Sequence, residues 1–264
     1  MMRTPTATIL EVASMKFTLW IVLLAFSTQL FAQSAVPAGT ILPVALSSSL
    51  NSRKSKVGQV ITARIMQNVP LATGSRLRAG TKVLGRVVEI SPADGMHGAT
   101  MSIRFDTLVV SKRQIPITTN VRALASMMAV HEAQLPETGP DRGTSENAWT
   151  TDQIGGDVVY RGGGPVAKGL LTVGEPTADG VLAQVLPPPG GKCRGEIGQA
   201  ARLQALWVFS SDACGTYDLA NITITRAGRT HPLGLVTLTS DKGDINVRAG
   251  SGALLRVDGN SESP

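Results

Sequence analysis

Short segments in which apolar and polar residues alternate recur along this chain, and they constrain its fold more than any other feature. Residues 61–65 place Ile, Ala and Ile at every second position, residues 101–105 do the same with Met, Ile and Phe, and residues 222–225 continue the pattern. A period of two puts alternate side chains on one face of a β-strand. No long stretch has the period of an amphipathic helix, although Ala125–Gln134 fits one short helix. The pattern predicts an all-β protein.

The glycine and proline content supports this class. The chain has 264 residues, including 28 Gly and 15 Pro, and only 4% of its residues are aromatic. So many turn-forming residues exclude a helical bundle and suit short strands joined by turns. We predict a sandwich or barrel of short antiparallel strands, with a long polar central loop and little helix outside a signal peptide. Val236–Val247 is predicted to be a hairpin that turns at Asp241-Lys242-Gly243.

The N-terminal region has the layout of a secretory signal peptide. Lys16 precedes the apolar run Phe17–Phe26, and smaller or more polar residues follow as far as Ala32. A membrane anchor is the alternative, but a spanning helix needs about 20 apolar residues, and polar residues interrupt this run too early. We predict an extension at residues 1–14, a signal peptide at residues 15–34, and export to the periplasm or the medium. No spanning helix is expected after cleavage.

The mature chain divides into three segments. Residues 36–124 are predicted to form a basic β unit, residues 125–155 a linker or functional loop, and residues 156–259 a C-terminal β unit. Within the central segment, Leu135–Ile154 is polar, rich in turn-forming Gly and Pro, and has no apolar face. It contains Trp149, which either anchors the loop to the body of the protein or offers a binding surface.

Two cysteines lie in the mature chain, Cys193 and Cys214. An oxidising compartment favours a disulfide between them. Two separate buried thiols are the alternative. A redox-active pair is not expected, because the Cys-x-x-Cys spacing is absent.

Charge is distributed unevenly between the two halves. Residues 36–124 contain 12 Lys or Arg and 3 Asp or Glu, whereas residues 125–264 contain 11 and 15. Such a basic cluster can bind an anionic partner, although an ordinary solvated face would look the same. Nucleic acid is disfavoured, because the chain is predicted to be exported and few aromatic residues are available for base stacking. The candidate binding residues are Arg53, Lys54, Lys56, Arg76, Arg78, Lys82, Arg86 and Trp149.

One part of the chain resembles a known family. Residues 37–44, 50–52, 58–65 and 78–86, each with a glycine turn or a strand entry, resemble the C-terminal domain of TrbI-like proteins, which are core components of conjugation and type IV secretion machines. The likeness covers Val36 to about Ile90. It implies a β-barrel fold in the cell envelope and assembly into a ring around a secretion channel. Parts of the remainder resemble secreted bacterial proteins of unknown function.

No catalytic or metal-binding motif is complete. His131-Glu132 begins like a zinc-protease helix, but Leu135 stands where a second histidine is required. We predict no cofactor and a non-enzymatic scaffold or binding role in the envelope, with peptidoglycan, anionic lipid or a secretion-type protein as partner. A homo-oligomer stays open. The alternative is a secreted polysaccharide hydrolase, which would need paired carboxylates. The loop-borne candidates for such a pair are Asp141 with Glu146, or Asp152 with Asp157.

Overall fold

A computed structural model describes residues 36–72, 74–94, 96–138, 149–191, 193 and 202–258. The predicted N-terminal extension and signal peptide lie outside these residues. So do Asp141 and Glu146 of the central loop.

Most of the described chain is β-structure, which confirms the predicted all-β class. Among the described residues, ten strands form one large sheet with the order β16-β9-β20-β1-β3-β6-β7-β18-β17, and β8 pairs separately with β7. These strands are β1 (Ile41–Leu46), β3 (Val60–Ile65), β6 (Lys82–Ser91), β7 (Thr100–Val110), β8 (Arg113–Pro116), β9 (Thr118–Ala125), β16 (Gly215–Tyr217), β17 (Ile222–Ala227), β18 (Val236–Ser240) and β20 (Gly252–Asp258). All pairs are antiparallel except β9 with β16.

A second sheet follows the chain order without crossovers. Within the described ranges it contains six strands: β10 (Thr150–Asp152), β11 (Val158–Tyr160), β12 (Val166–Lys168), β13 (Leu171–Thr177), β14 (Gly180–Ala183) and β15 (Gln204–Ala205). Two short ribbons complete the β-structure, one formed by β2 (Leu50–Asn51) with β19 (Asn246–Val247) and one by β4 (Val69–Pro70) with β5 (Arg76–Leu77).

The alternating segments are strands, as predicted. Ile61, Ala63 and Ile65 of β3 are fully buried, whereas Val60 and Arg64 between and before them are exposed. β3 therefore has one face on a core and one face in water, which is the arrangement that a period of two encodes.

Three central strands, β1, β9 and β20, depart from this pattern because each of their two faces packs against an apolar core. In β1, Leu42 packs into one apolar core and Ile41 into another, and in β9 Leu124 and Ala123 divide in the same way. The first core is enclosed by the large sheet. The second lies between β1, β9 and β20 on one side and the six-stranded sheet on the other. These strands form a wall shared by both cores.

The same four-residue turn precedes four neighbouring strands, β1, β3, β6 and β20. The turns are Pro37–Thr40, Lys56–Gln59, Arg78–Thr81 and Arg248–Ser251. In each, the fourth N–H donates to the first carbonyl at 3.0–3.2 Å. The third residue is always glycine with φ between +80° and +89°. The glycine N–H donates to the strand next in the sheet, to Val257, Val87, Ile65 and Leu46 respectively. Two strand pairs, β1 with β20 and β3 with β6, are therefore each joined by two such hydrogen bonds, one from the turn before each strand.

One short helix, α1 (Met127–Glu132), lies within the predicted range Ala125–Gln134. It begins after Ser126, whose Oγ accepts a hydrogen bond from the Ala129 N–H at 3.0 Å. This is an ordinary N-cap. Within the part of the chain that the structure describes, no helix has the length and hydropathy needed to cross a membrane.

The predicted hairpin at Val236–Val247 is wrong. β18 pairs with β17 and β7, whereas β19 pairs with β2. The chain does bend at Asp241-Lys242-Gly243, but the segment after the bend bonds to Ser52 instead of pairing with β18. The Ser52 Oγ donates to Asp244 Oδ1 at 2.9 Å and accepts from the Ile245 N–H at 3.1 Å.

Residues 36–124 and 156–259 contribute strands to the same large sheet. β20 lies between β1 and β9, and β18 pairs with β7. Residues from Val36 onward form one compact unit. The segment between them contains α1 and β10 beside the undescribed part of the loop.

Cys193 and Cys214 form a disulfide with their Cα atoms 6.1 Å apart, which confirms the predicted pairing. The bond joins the segment after β14 to the residue that precedes β16. Both cysteines are therefore held in one covalent loop beside the large sheet.

Candidate functional site

The first group of predicted basic residues lies in the turn between β2 and β3. Arg53, Lys54 and Lys56 are exposed there. The Asn51 side-chain oxygen accepts bonds from the Arg53 and Lys54 N–H groups at 3.0 and 3.1 Å, which fixes the turn. Arg53 forms an ion pair with Asp244, and its hydrogen bond is the main cause that lowers the pKa of that carboxyl. Lys54 and Lys56 form no ion pair with a residue that the structure describes, so they present the remaining positive charge of this turn.

The second group lies on the outer face of β6. Lys82 and Arg86 point outward there, since Val83, Gly85 and Val87 between and beside them are buried. The register places Arg64 of β3 opposite Lys82 and Arg104 of β7 opposite Arg86. Arg64, Lys82, Arg86 and Arg104 are called the basic face below. Arg64 and Arg104 were not among the sequence candidates, because only strand pairing brings them beside the other two.

Arg76 and Arg78 lie near the start of β6, on β5 and in the turn before Lys82. Both are exposed. The turn with Lys56 lies towards the other end of the strand, because the Gly58 N–H donates to Val87 O at 2.8 Å. Exposed cations therefore accompany β6 from the turn before Lys82 to the region of Val87, and the exposed Glu89 follows beyond it.

Exposed valines accompany this charge. Val57 is 66% exposed and Val60 is 62% exposed, and Val88 is also exposed. Val60 is the register partner of Arg86, and Val57 precedes the glycine that is bonded to Val87. Single exposed apolar residues are common on protein surfaces, but here three of them lie beside exposed cations. These three residues are called the valine patch.

Trp149 borders a separate cleft of about 560 Å³ beside the six-stranded sheet. Its side chain is 39% exposed. Arg161 also lines the cleft; it donates its backbone N–H to Trp149 O at 2.9 Å and its side chain bonds Thr177 O and Gly180 O at 3.3 Å. Burial lowers the pKa of the Arg161 guanidinium. The basic face and Trp149 thus belong to different parts of the surface.

A buried glutamine holds one wall of this cleft. Gln67 accepts the Trp207 N–H at 2.7 Å and donates to Val181 O at 2.8 Å. Trp207 itself is buried and has a φ of +53°. Because both polar atoms of the Gln67 amide are bonded, one to β14 and one to the residues after β15, the side chain connects the segment after β3 to the small sheet and is not open to a ligand.

The carboxylate candidates fall in different environments. Asp152 is exposed on β10. Asp157 is fully buried: the Ser211 N–H and Oγ donate to its two oxygens at 2.6 and 3.2 Å, and Lys168 Nζ lies 3.6 Å away. Burial raises the pKa of Asp157. Because Asp157 is buried, a polysaccharide cannot reach its carboxylate. Its contacts with Ser211 and Lys168 instead connect the residues around β11 and β12 to the 208–214 segment.

Histidine residues are dispersed among the described parts of the chain. His97 is exposed and contacts Asp94 at 3.1 Å, and His131 lies in the last turn of α1. Within the described ranges, no three His, Cys, Asp or Glu side chains come together in a way that could hold a metal ion.

Comparison with known proteins gives no family assignment: no protein-family model matches the chain, and no curated protein matches it. The likeness of residues 36–90 to TrbI-like proteins remains a prediction from the sequence.

Proposed function

We propose that this chain is an exported protein of the bacterial cell envelope that binds an anionic lipid surface without catalysing a reaction. The observation that carries the proposal is the valine patch, which lies beside the exposed cations Lys56 and Arg86. Lys56 precedes Val57, and Arg86 lies opposite Val60. Peripheral binding to anionic lipid combines these two contributions, apolar burial at the interface and attraction between cations and headgroups.

Two further features support an exported protein. Residues 15–34 have the layout of a signal peptide. The disulfide is the kind of cross-link that persists in an oxidising compartment. The expected mature protein therefore starts shortly after Ala32. Mass determination of the N-terminal peptide from fractionated cells tests this: an intact leader on a cytoplasmic protein would contradict the proposal.

Vesicle binding by the mature protein tests the surface. We expect binding to vesicles that contain phosphatidylglycerol, weak binding to neutral vesicles, and a decline with salt because the attraction is screened. Replacing Lys54 and Lys56 by Gln should weaken binding by about 1 kcal/mol for each charge removed. Replacing Val57 and Val60 by Ser should weaken it while leaving the salt dependence in place.

The matched control replaces Lys112 and Arg113 by Gln; both are exposed at the turn between β7 and β8, at the end of β7 that pairs with Lys82 and not with Arg86. It removes the same charge and should bind almost as well as the wild type. If the control weakens binding as much as the Lys54 and Lys56 changes, net charge alone is responsible. The proposed surface would then be wrong.

A further inference from the structure

A cleft of about 340 Å³ opens on the basic face where the large sheet meets two loops. Arg86 and Arg104 contribute from β6 and β7, Pro116 and Thr118 from the junction of β8 and β9, and Leu233 from the connection between β17 and β18. Its walls therefore come from four separate parts of the chain. This gives it a shape that a flat strand surface lacks.

The charges in this cleft do not balance. Arg86 and Arg104 are directly opposite each other across β6 and β7, an arrangement in which like charges repel. Asp106 forms an ion pair with Arg86. Arg104 has no side-chain hydrogen bond or ion pair with any described residue, and its Nε is buried without a partner. Of these two guanidinium groups, only that of Arg86 is paired with a carboxylate among the described residues.

A structural role does not account for Arg104. Buried polar atoms in folded proteins almost always have hydrogen-bond partners, and a buried donor without one destabilises the fold. A methionine would cover the same apolar surface at no such cost. Departures from these rules are expected where a residue serves binding instead of folding. Arg104 Nε is therefore a buried donor that no described residue satisfies.

We propose that Arg86 and Arg104 bind a phosphate-type oxyanion in this cleft. The planar guanidinium fork matches the oxygens of phosphate, and two such forks can share one anion. The anion would also relieve the repulsion across the two strands. This inference rests on the proposed function and names the headgroup chemistry that the basic face selects. A phosphorylated lipid headgroup and free phosphate present the same chemistry.

Phosphate binding in solution is the first test. We expect the unfolding temperature of the mature protein to rise with inorganic phosphate at constant ionic strength, because a ligand that binds only the folded state stabilises it. Arg104→Met should abolish this rise, or weaken phosphate binding by about tenfold or more. Without phosphate, the variant should unfold at the same or a higher temperature than the wild type, which shows that it folds.

Arg64→Met is the matched control, because Arg64 belongs to the basic face but does not line the cleft. It should keep the phosphate response. An equal response in wild type and Arg104→Met, or none in the wild type, would overturn the inference.

Vesicles distinguish the two sources of phosphate. We expect vesicles with a phosphate monoester lipid, phosphatidic acid, to bind more tightly than phosphatidylglycerol vesicles of equal surface charge, and Arg104→Met to remove the preference. If phosphate binds in solution but no vesicle does, the site takes a free phosphate compound, and the proposed function fails while the inference stands. If vesicles bind without a phosphate response or a headgroup preference, the inference fails and the proposed function stands.

Discussion

A glycine with a left-handed backbone occupies the third position of the turns before β1, β3, β6 and β20. Gly80 illustrates why the side chain matters. Its φ is +84°, and its N–H donates to Ile65 O at 2.7 Å, which fixes the start of β6 against β3. Most L-residues pay a conformational penalty in this region, and the space around Gly80 is open. The cost of a substitution there is therefore conformational and not steric.

We expect Gly80→Ala to lower the free energy of unfolding by about 1–2 kcal/mol, because Ala disfavours the left-handed conformation. Gly80→Asn should cost less, because Asn tolerates it better. Urea denaturation of both variants measures the difference. Equal losses would show that the conformation of the turn is not the cause.

Asp157 shows how burial changes a single carboxylate. Burial raises its pKa above the ordinary value of 3.8, although hydrogen bonds from Ser211 and the charge of Lys168 act in the opposite direction. The folded protein therefore holds this proton more tightly than the unfolded chain does. Its contribution to stability is fully present below the unfolded pKa and is lost as pH rises through the folded pKa.

We therefore expect the stability of the wild type relative to Asp157→Asn to fall as pH rises from below 3.8 towards neutrality. Denaturation curves at several pH values measure this difference. Asp152→Asn removes an exposed carboxylate from the same sheet and is the control. A difference that rises with pH would show that hydrogen bonding outweighs burial at Asp157.

Among the elements, the segment around the disulfide is held by a buried arginine. Arg122 of β9 donates to Leu186 O at 2.7 Å and to Ala213 O at 2.9 Å. These carbonyls belong to the two segments that Cys193 and Cys214 join. Burial lowers the pKa of Arg122 to about 10. The guanidinium and the disulfide thus fix the same pair of segments to the large sheet.

Replacing both Cys193 and Cys214 by Ser should lower the free energy of unfolding by about 3 kcal/mol. The reason is that a cross-link closing a loop of this length restricts the unfolded chain, and its removal releases that restriction. Chemical denaturation measures the change. Wild type in reductant should lose the same amount. A free-thiol count on the denatured, unreduced protein should find none; two free thiols would contradict the disulfide.

For the whole molecule, the position of β20 decides which parts can fold alone. β20 is close to the C-terminal end of the described chain, yet it lies between β1 and β9. Its Leu254 packs into the core shared with the small sheet and its Leu255 into the core of the large sheet. Both cores therefore depend on a strand that is distant in sequence from most of its neighbours.

A fragment of residues 36–124 should consequently fail to fold. It would leave β1 and β9 without β20 and β7 without β18, so several strands would present unpaired edges and exposed apolar faces. We expect poor dispersion in its amide NMR spectrum and no cooperative unfolding, in contrast to the mature chain. A well-dispersed spectrum would show that the basic segment is an independent domain.

The candidate site was only partly predictable. Lys82 and Arg86 are four positions apart on an alternating strand, so the sequence places them on one face. Arg64 and Arg104 join them only through the register of β3 and β7. The lack of a partner for Arg104 depends on which loops pack beside it, and no local pattern encodes that.

The sequence by itself determined the all-β class, the strands with one buried face, the short helix and the pairing of the two cysteines, because each depends on a local period or on the mere number of candidates. Tertiary structure decided the rest. The period of two disappears in β1, β9 and β20, because a second core covers their other face. Tertiary structure also decided that β18 pairs with β17 and β7 instead of forming a hairpin with β19. Pairing depends on which distant segment buries the remaining surface, and a local pattern does not contain that information.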